Sequence, residues 1–117
     1  MIRRVERQDE DGVSRFAPGE LVRHRRYGYR GVVVDFDTSC AAPDEWYASN
    51  QTQPRRNQPW YHVLVDQSVH TTYAAEENLV PDYGNEEITH PLIDEFFDAF
   101  QDGRYVRNDR PWGGPSS

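Results

Sequence analysis

Residues 57–79 read NQPWYHVLVDQSVHTTYAAEENL, and no other part of the chain constrains the architecture as strongly. This stretch contains two short runs rich in aromatic and β-branched residues, 60–65 and 70–75, which are separated by the turn-forming tripeptide DQS at 66–68. Runs of this kind, bounded by turn residues, predict two antiparallel strands. They bring aromatic and imidazole side chains together, yet without any recognisable catalytic spacing. The stretch therefore indicates a small β-module that recognises a partner.

The residues before this stretch predict a β-hairpin. A Pro-Gly turn at 18–19 leads into a first strand over residues 21–26, and a second strand is expected at 32–36. Gly28 and Gly31 mark the tight connection between the two strands. Strict alternation along the second strand puts three apolar side chains on one side of the sheet: Val32, Val34 and Phe36.

The later residues predict a long excursion, one more strand and a helix. Residues 37–59 are rich in proline and polar residues, with one helical turn at 43–47 that begins at a proline, and a short apolar strand follows at 79–80. Apolar side chains recur at i, i+4 and i+8 within residues 91–100, which predicts an amphipathic helix. We therefore expect an all-β fold, a small SH3-like β-barrel of about five strands with a C-terminal amphipathic helix.

The two ends of the chain differ in composition from this central part. Residues 1–14 mix charges without a hydrophobic period, and residues 103–117 are rich in glycine and proline. We expect a disordered tail at 1–14, one folded domain at 15–102 and a flexible tail at 103–117.

Composition narrows the class of protein. The chain has 117 residues, of which 36% are hydrophobic and 13% aromatic, so its core depends on aromatic packing. The single cysteine, Cys40, cannot form an intramolecular disulfide, and residues 1–12 lack the apolar segment of a signal peptide. The longest aliphatic run is three valines, far below the ~18 apolar residues of a membrane span. We expect a soluble cytoplasmic protein.

The charge is acidic in total and segregated along the chain. The formal net charge is −7, and all thirteen basic residues are arginine. Residues 15–66 hold seven Arg against six Asp and Glu, whereas residues 67–102 hold nine acidic residues and no Arg. Such segregation can produce a bipolar surface. The absence of lysine has a simpler explanation in genomic base composition.

The residues that usually carry chemistry are not arranged for it. Cys40 has no local nucleophile signature, and the sequence contains no GxSxG elbow. The four histidines, His24, His62, His70 and His90, do not match the spacing of a metal site. The sequence thus indicates no catalytic site, no metal and no cofactor, and we expect a protein that is not an enzyme.

Arginine clusters supply a candidate nucleic-acid surface. Residues 23–30 read RHRRYGYR, and two arginines at 55–56 extend the same positive patch. Guanidinium groups pair bidentately with phosphate, while tyrosine rings stack on bases or contact sugars. The predicted DNA-binding residues are Arg23, Arg25, Arg26, Tyr29, Arg30, Arg55 and Arg56. The acidic total opposes this interpretation, because carboxylates repel a polyanion, and the alternative is a solvated arginine edge that protects the hairpin from aggregation.

A second candidate surface is apolar. The aromatic stripe of the predicted helix either packs on the barrel or forms a contact with another subunit or a partner. The predicted partner-binding residues are Trp60, Tyr61, Phe96, Phe97 and Phe100.

Five segments of the sequence together resemble one protein family. They are FAPGELVRH at 16–24, YRGVV at 29–33, NQPWYHVLVD at 57–66, TYAAEENL at 72–79 and HP at 90–91. In this order they resemble the heat shock protein HspQ family, which is also called the YccV-like or hemimethylated-DNA-binding domain family. The resemblance covers residues 16–97, and the two ends of the chain depart from it.

The resemblance implies a small non-enzymatic β-barrel that binds hemimethylated double-stranded DNA. It further implies a homo-oligomer, expected to be a trimer, and a role in the heat-shock response. The alternative function that it implies is that of an adaptor or allosteric enhancer of a Lon-type protease in protein quality control. Neither interpretation involves a membrane.

Overall fold

The structure of the protein is a computed structural model that describes residues 14–50 and 53–113. This part of the chain consists mainly of antiparallel strands, with two short helices. The strands are β1 Leu21–His24, β2 Arg30–Asp37, β3 Trp60–Val65, β4 Thr71–Ala75, β5 Leu79–Pro81, β6 Phe97–Gln101 and β7 Arg104–Arg107. The helices are α1 Asp44–Ser49 and α2 Ile93–Phe96, and a 3₁₀ turn covers Glu76–Asn78.

The first five strands form one antiparallel sheet in the order β4-β3-β2-β1-β5. All five lie where the sequence predicts strands, and α1 lies where one helical turn is predicted, so the all-β class is confirmed. Strands β4 and β5 are the two edges of this sheet, and within residues 14–50 and 53–113 no pairing closes it into a barrel. The fold is therefore an open sheet with two faces, and the predicted SH3-like barrel is not confirmed.

A β-bulge interrupts the central strand β2. The register of β2 on β3 shifts between Val33 and Asp35, which leaves Val34 as the extra residue. Beyond the bulge the alternation is inverted, so Phe36 packs on the opposite face of the sheet from Val34. Strict alternation predicts both on one side, and the bulge is the reason that this prediction is wrong. The same shift places Asp35 and Asp37 on the face that carries Val34.

Each face of the sheet carries its own apolar cluster, because alternate strand residues point to opposite sides. On one side, which we call the Phe16 face, the cluster consists of Phe16, Val22, Val33, Tyr61, Val63, Ala74 and Leu79. On the other side, which we call the hairpin face, it consists of Leu21, Val32, Val34, Leu64, Ile88, Phe96, Phe97 and Tyr105. The hairpin of β6 and β7 covers the second cluster, and α1 covers Trp60 farther along the same face.

The predicted helix over residues 91–100 is wrong beyond its first turn. Helix α2 ends at Phe96, and the chain continues directly as β6, which pairs with β7. Asp102 and Gly103 join the two strands, and their φ values of 56° and 80° suit a type I′ turn. This tight turn brings β7 back onto β6, so Phe97 and Phe100 pack as strand residues, whereas Phe96 ends α2.

Strand β7 lies within residues 103–117, which the sequence assigns to a flexible tail. Tyr105 of β7 is buried, and its ring contacts those of Phe97 and Phe100 at centroid distances of 5.2 and 4.7 Å. Ordered structure therefore extends beyond the predicted boundary at residue 102. The predicted tail at 1–14 lies outside the described residues except for Ser14.

Candidate nucleic-acid interface

The turn between β1 and β2 carries most of the predicted DNA contacts, and His24 organises it. The Nδ1 atom of His24 accepts hydrogen bonds from the backbone N–H groups of Arg26 and Tyr27, both at 3.1 Å. Its ring stacks on Tyr27 at 4.6 Å and lies 5.1 Å from the ring of Tyr29. Gly28 has a φ of 78°, and its N–H donates to the His24 carbonyl at 2.9 Å. A buried imidazole thus holds this exposed turn in one shape.

Three exposed arginines project from this part of the chain, and we call them the arginine turn: Arg23, Arg25 and Arg26. Arg23 donates to the backbone carbonyl of Gly28 at 3.0 Å and lies 3.5 Å from a carboxylate oxygen of Asp82, and Arg25 donates to the backbone carbonyl of Glu77 at 3.1 Å. An arginine has five N–H donors, so these contacts orient the side chains and leave donors for phosphate oxygens.

Arg55, on the long excursion, lies beside the arginine turn. The side-chain amide of Gln58 donates to the carbonyl of Arg55 and to the carboxylate of Glu77, both at 2.9 Å. Because Arg25 also bonds to Glu77, the two arginines lie at the same end of the molecule. Arg55 is exposed, so the structure places it with the arginine turn.

Two other predicted DNA contacts are engaged inside the fold. Arg56 donates to the carbonyl of Ala42 at 2.6 Å and lies over the ring of Tyr47. The Tyr29 hydroxyl shares a hydrogen bond of 2.8 Å with the hydroxyl of Thr72, and burial raises the pKa of Tyr29. Both side chains are half-buried, so they offer less surface to a ligand than the arginine turn does.

Arg30 is the centre of an ionic network. Its guanidinium pairs with Asp66 at 2.9 Å and with Asp82 at 3.0 Å, and only 16% of its side chain is exposed. It also donates to the carbonyl oxygens of Glu86 and Glu87 at 2.5 and 3.4 Å. Desolvation alone would lower the pKa of Arg30, but hydrogen bonds and charge from the two aspartates raise it. Arg30, at the start of β2, therefore binds both the loop that contains Asp66 and the segment from Asp82 to Glu87. This arrangement argues against the predicted contact with DNA.

The predicted apolar partner surface is buried within the domain. Trp60 and Tyr61 are 1% and 0% exposed, and Phe96 and Phe97 are both 5% exposed. Phe100 is half-buried against the same cluster as the other two phenylalanines. A chain of this size has few other large apolar side chains with which to build a core. The predicted role is corrected accordingly: these residues stabilise the sheet and its hairpin.

The described residues contain neither a metal-binding cluster nor a membrane-spanning helix. Within residues 14–50 and 53–113, no group of three or more His, Cys, Asp and Glu side chains is placed to hold a metal ion. No helix in that part of the chain is both long and apolar enough to cross a membrane.

Three buried histidines predict that the protein loses stability in acid. Burial lowers the pKa values of His24, His62 and His90 below the ordinary value of 6.5. In His24 and His90, protonation of Nδ1 also removes an acceptor of backbone N–H groups. Because the unfolded chain then binds protons more readily, the stabilising contribution is complete above about pH 7 and is lost as the pH falls below about 6.5.

Urea unfolding at about pH 7.5 and about pH 5.5 measures this effect. His90→Gln removes one titrating group and is expected to show a smaller difference between the two midpoints. Equal midpoints for the native sequence at the two pH values would contradict the prediction.

Sequence reasoning missed two residues that shape this interface, His24 and Gln58. The sequence argument considers His24 as a metal ligand and includes it in two longer segments, but does not assign it a role in the turn. The signal for that role is its position at the end of a strand, just before a tight turn. Short polar side chains at such positions accept turn N–H groups, as Asp and Asn do. Gln58 is 6% exposed, and no local pattern marks its hydrogen bonds to Glu77, which lies 19 positions later in the sequence.

Two similarities connect this chain to known proteins. Residues 14–104 match the family described as hemimethylated DNA-binding protein YccV like. F-box only protein 21 from Homo sapiens and from Mus musculus each share 32% identity with the chain over 96 residues, which is 80% of this chain and 15% of the relative. The chain thus spans a small part of the length of these relatives. The family match covers most of the chain, and the protein therefore belongs to the YccV-like hemimethylated DNA-binding domain family.

Proposed function

We propose that this protein binds double-stranded DNA and that the arginine turn makes the phosphate contacts. The observation that carries the proposal is the exposure of Arg25 and Arg26 on a turn that the buried His24 holds in shape, with the exposed Arg23 on the adjoining strand β1. Phosphate contacts provide much of the affinity of DNA-binding proteins, and a preset turn loses little conformational entropy on binding. Membership in the YccV-like family supports DNA as the ligand.

The acidic net charge restricts which surface faces DNA. The exposed carboxylates of Asp94, Glu95 and Asp98 belong to α2 and β6, on the hairpin face. Strand β7 bonds to Gly19, before the start of β1, whereas the arginine turn is at the opposite end of that strand. A duplex that approaches the arginine turn therefore stays away from these carboxylates.

The double substitution Arg25→Ala/Arg26→Ala tests the phosphate contacts. We expect it to weaken binding to a DNA duplex about tenfold at about 0.1 M salt and to reduce the slope of log affinity against log salt by about two. The matched control Arg104→Ala/Arg110→Ala removes the same charge from two exposed arginines outside the five-stranded sheet, one in β7 and one after it. Electrophoretic mobility shifts over a salt series measure both. Equal losses in the two variants would assign the effect to net charge and exclude the arginine turn.

Preference for hemimethylated DNA is a separable part of the proposal. A methyl group in the major groove is recognised by apolar contact, and the ring of Tyr27, 51% exposed beside Arg26, supplies such a surface. Titration of unmethylated, hemimethylated and fully methylated duplexes of one sequence is expected to give the tightest binding to the hemimethylated form. Equal affinities would remove this preference and leave the phosphate contacts in place.

The alternative function, enhancement of a Lon-type protease, stays a prediction. The aromatic side chains expected to form its docking surface are buried, so this surface does not favour the alternative. The homo-oligomer, the stress role and the cytoplasmic location also stay predictions.

A further inference from the structure

A groove of about 940 Å³ follows both sides of the edge strand β4. On the hairpin face, the strand register sets Asp35, His62 and Tyr73 in one row and Asp37 in the next. We call this part of the groove the acidic aromatic groove; it is lined by Asp35, Asp37, Trp46, His62, Tyr73 and Trp112. Among the described residues, the lining of the whole groove includes these two carboxylates and no arginine.

The aromatic rings of this groove form a continuous row. The rings of Trp46 and Tyr73 lie 5.7 Å apart, Tyr73 stacks on His62 at 4.5 Å, and His62 lies 5.7 Å from Trp112. The two tryptophans and the tyrosine are half-buried, so each is fixed by packing yet keeps part of its surface in contact with solvent. The negative face of such a ring attracts a cation.

Two carboxylates lie beside this row, and each has one oxygen that no described residue contacts by a hydrogen bond or ion pair. Asp37 Oδ2 accepts the Tyr73 hydroxyl at 2.6 Å and lies 3.4 Å from His62 Nε2, and Asp35 Oδ1 accepts the Phe36 N–H at 2.9 Å. From the described residues, neither a hydrogen bond nor an arginine reaches the second oxygen of either carboxylate. The Asp37 side chain is 39% exposed, and burial lowers the pKa of His62, which keeps the imidazole neutral at pH 7.

We propose that the acidic aromatic groove binds an arginine side chain presented by a partner protein. A guanidinium is planar, stacks on aromatic rings and pairs bidentately with carboxylates, so it matches both features of the groove. The compact ammonium of lysine matches only the charge. Two of the chain's own arginines show the same packing nearby: Arg56 lies 4.9 Å from the ring centre of Tyr47, and Arg107 lies 5.0 Å from that of Phe96.

The neighbouring strand provides room for the backbone that carries this arginine. Strand β4 is an edge of the sheet in the described part of the chain, so its outer N–H and C=O groups have no strand partner there. An extended peptide can pair with such an edge while its side chains enter the adjacent groove. The carboxylates of the acidic aromatic groove repel phosphate, and this part of the groove is therefore distinct from the DNA surface.

The test uses the whole protein and the peptide acetyl-Gly-Gly-Arg-Gly-Gly-amide. Otherwise identical peptides with citrulline, lysine or trimethyllysine in place of arginine separate shape from charge, because citrulline is isosteric with arginine but neutral. NMR spectra follow the indole N–H signals of the three tryptophans. We expect the arginine peptide to shift the signals of Trp46 and Trp112 and to bind at least about fivefold more tightly than the other three.

Asp35→Asn/Asp37→Asn removes both charges and keeps an acceptor at each position. We expect it to weaken binding of the arginine peptide about tenfold, whereas Arg25→Ala/Arg26→Ala leaves that affinity unchanged. If the first variant is misfolded by circular dichroism, Trp112→Leu tests the same site from the other end of the ring row, with an expected loss of about fivefold.

Four results with the native protein would overturn the proposal. They are equal binding of the citrulline peptide, tighter binding of either lysine peptide, indole shifts caused by duplex DNA instead of peptide, and no shift at millimolar arginine peptide. An unchanged affinity in a folded groove variant, or a loss in the arginine-turn variant, also places the peptide elsewhere. Each outcome is independent of the DNA titrations, because those depend on residues outside the acidic aromatic groove.

Discussion

Gly19→Ala is expected to lower the free energy of unfolding by about 3–5 kcal/mol, a large share of the total stability of a small domain. Gly19 has a φ of 100°, a backbone conformation that strains an L side chain by about 1–3 kcal/mol. A Cβ atom at this position also overlaps the carbonyl oxygen of Tyr105. Because the obstacle is backbone, no side-chain rotation relieves the overlap.

The overlap falls at the junction between the main sheet and the β6–β7 hairpin. The Gly19 N–H donates to the carbonyl of Val33 at 2.7 Å, and the Gly19 carbonyl accepts from the N–H of Tyr105 at 2.8 Å. Alanine here pushes β7 away from the sheet and exposes the cluster on the hairpin face. Urea and thermal unfolding measure the loss, and fluorescence of the tryptophans reports whether the hairpin face opens.

Gly28→Ala is the matched control. Gly28 also has a positive φ, 78°, but in the described part of the chain no atom beyond its chain neighbours lies within 4 Å of a Cβ built there. The substitution therefore costs only the backbone strain, about 1–2 kcal/mol. If the two variants lose equal stability, the close approach of Gly19 to Tyr105 contributes nothing and the prediction is wrong.

The main sheet follows from local sequence patterns, whereas the second hairpin depends on a tertiary contact. Each of the first five strands is bounded by turn-forming residues, which short-range reasoning detects. Residues 91–101 carry an apolar spacing that fits a helix as well as a strand. The deciding signal is the pair Asp102 and Gly103, typical of two-residue hairpins, and its effect depends on the packing of Tyr105 against Phe97.

The bulge in β2 is a second feature that local reasoning does not provide. Residues 32–36 alternate as an ordinary strand, and nothing in the sequence marks Val34 as the extra residue. The bulge is set by the register on β3, which is a pairing between distant segments. The bulge nevertheless determines the charge of the acidic aromatic groove, because it places Asp35 and Asp37 on the face that also carries His62.

Residue type is enough to suggest an arginine surface, but not to separate contact residues from structural ones. Arg26 and Arg30 look equivalent in RHRRYGYR, and only the fold shows that Arg30 meets Asp66 and Asp82. These partners are 36 and 52 positions away in sequence. A single sequence contains no signal for ion pairs over such separations.

Arg30→Met is expected to lower the free energy of unfolding by about 3–5 kcal/mol. Asp66 and Asp82 are each 9% exposed; in this variant both lose the Arg30 guanidinium, and Asp82 keeps only the longer contact of 3.5 Å with Arg23. Methionine keeps much of the side-chain volume, so the loss is mainly electrostatic. The stability of Arg30→Lys is expected to lie between that of the native protein and that of Arg30→Met, because one ammonium cannot reach both carboxylates and the backbone carbonyls together.

A rescue variant separates unpaired charge from lost packing. Arg30→Met/Asp66→Asn/Asp82→Asn replaces the three buried groups of the network with neutral ones and leaves only the exposed Arg23, which lies 3.5 Å from Asp82, without its carboxylate. Such replacement of a buried ion network is often close to neutral in stability. We therefore expect urea unfolding to show that most of the loss is recovered. A triple variant as unstable as Arg30→Met would instead assign the loss to the hydrogen bonds with Glu86 and Glu87.

The rescued protein also decides whether Arg30 belongs to the DNA surface. Because it is expected to fold without the Arg30 guanidinium, its affinity for a duplex is independent of the scaffold role. If the arginine turn alone makes the phosphate contacts, the salt slope of the rescued protein equals that of the native sequence, even though two acidic charges and one basic charge have been removed. A slope reduced by about one would return Arg30 to the set of phosphate contacts.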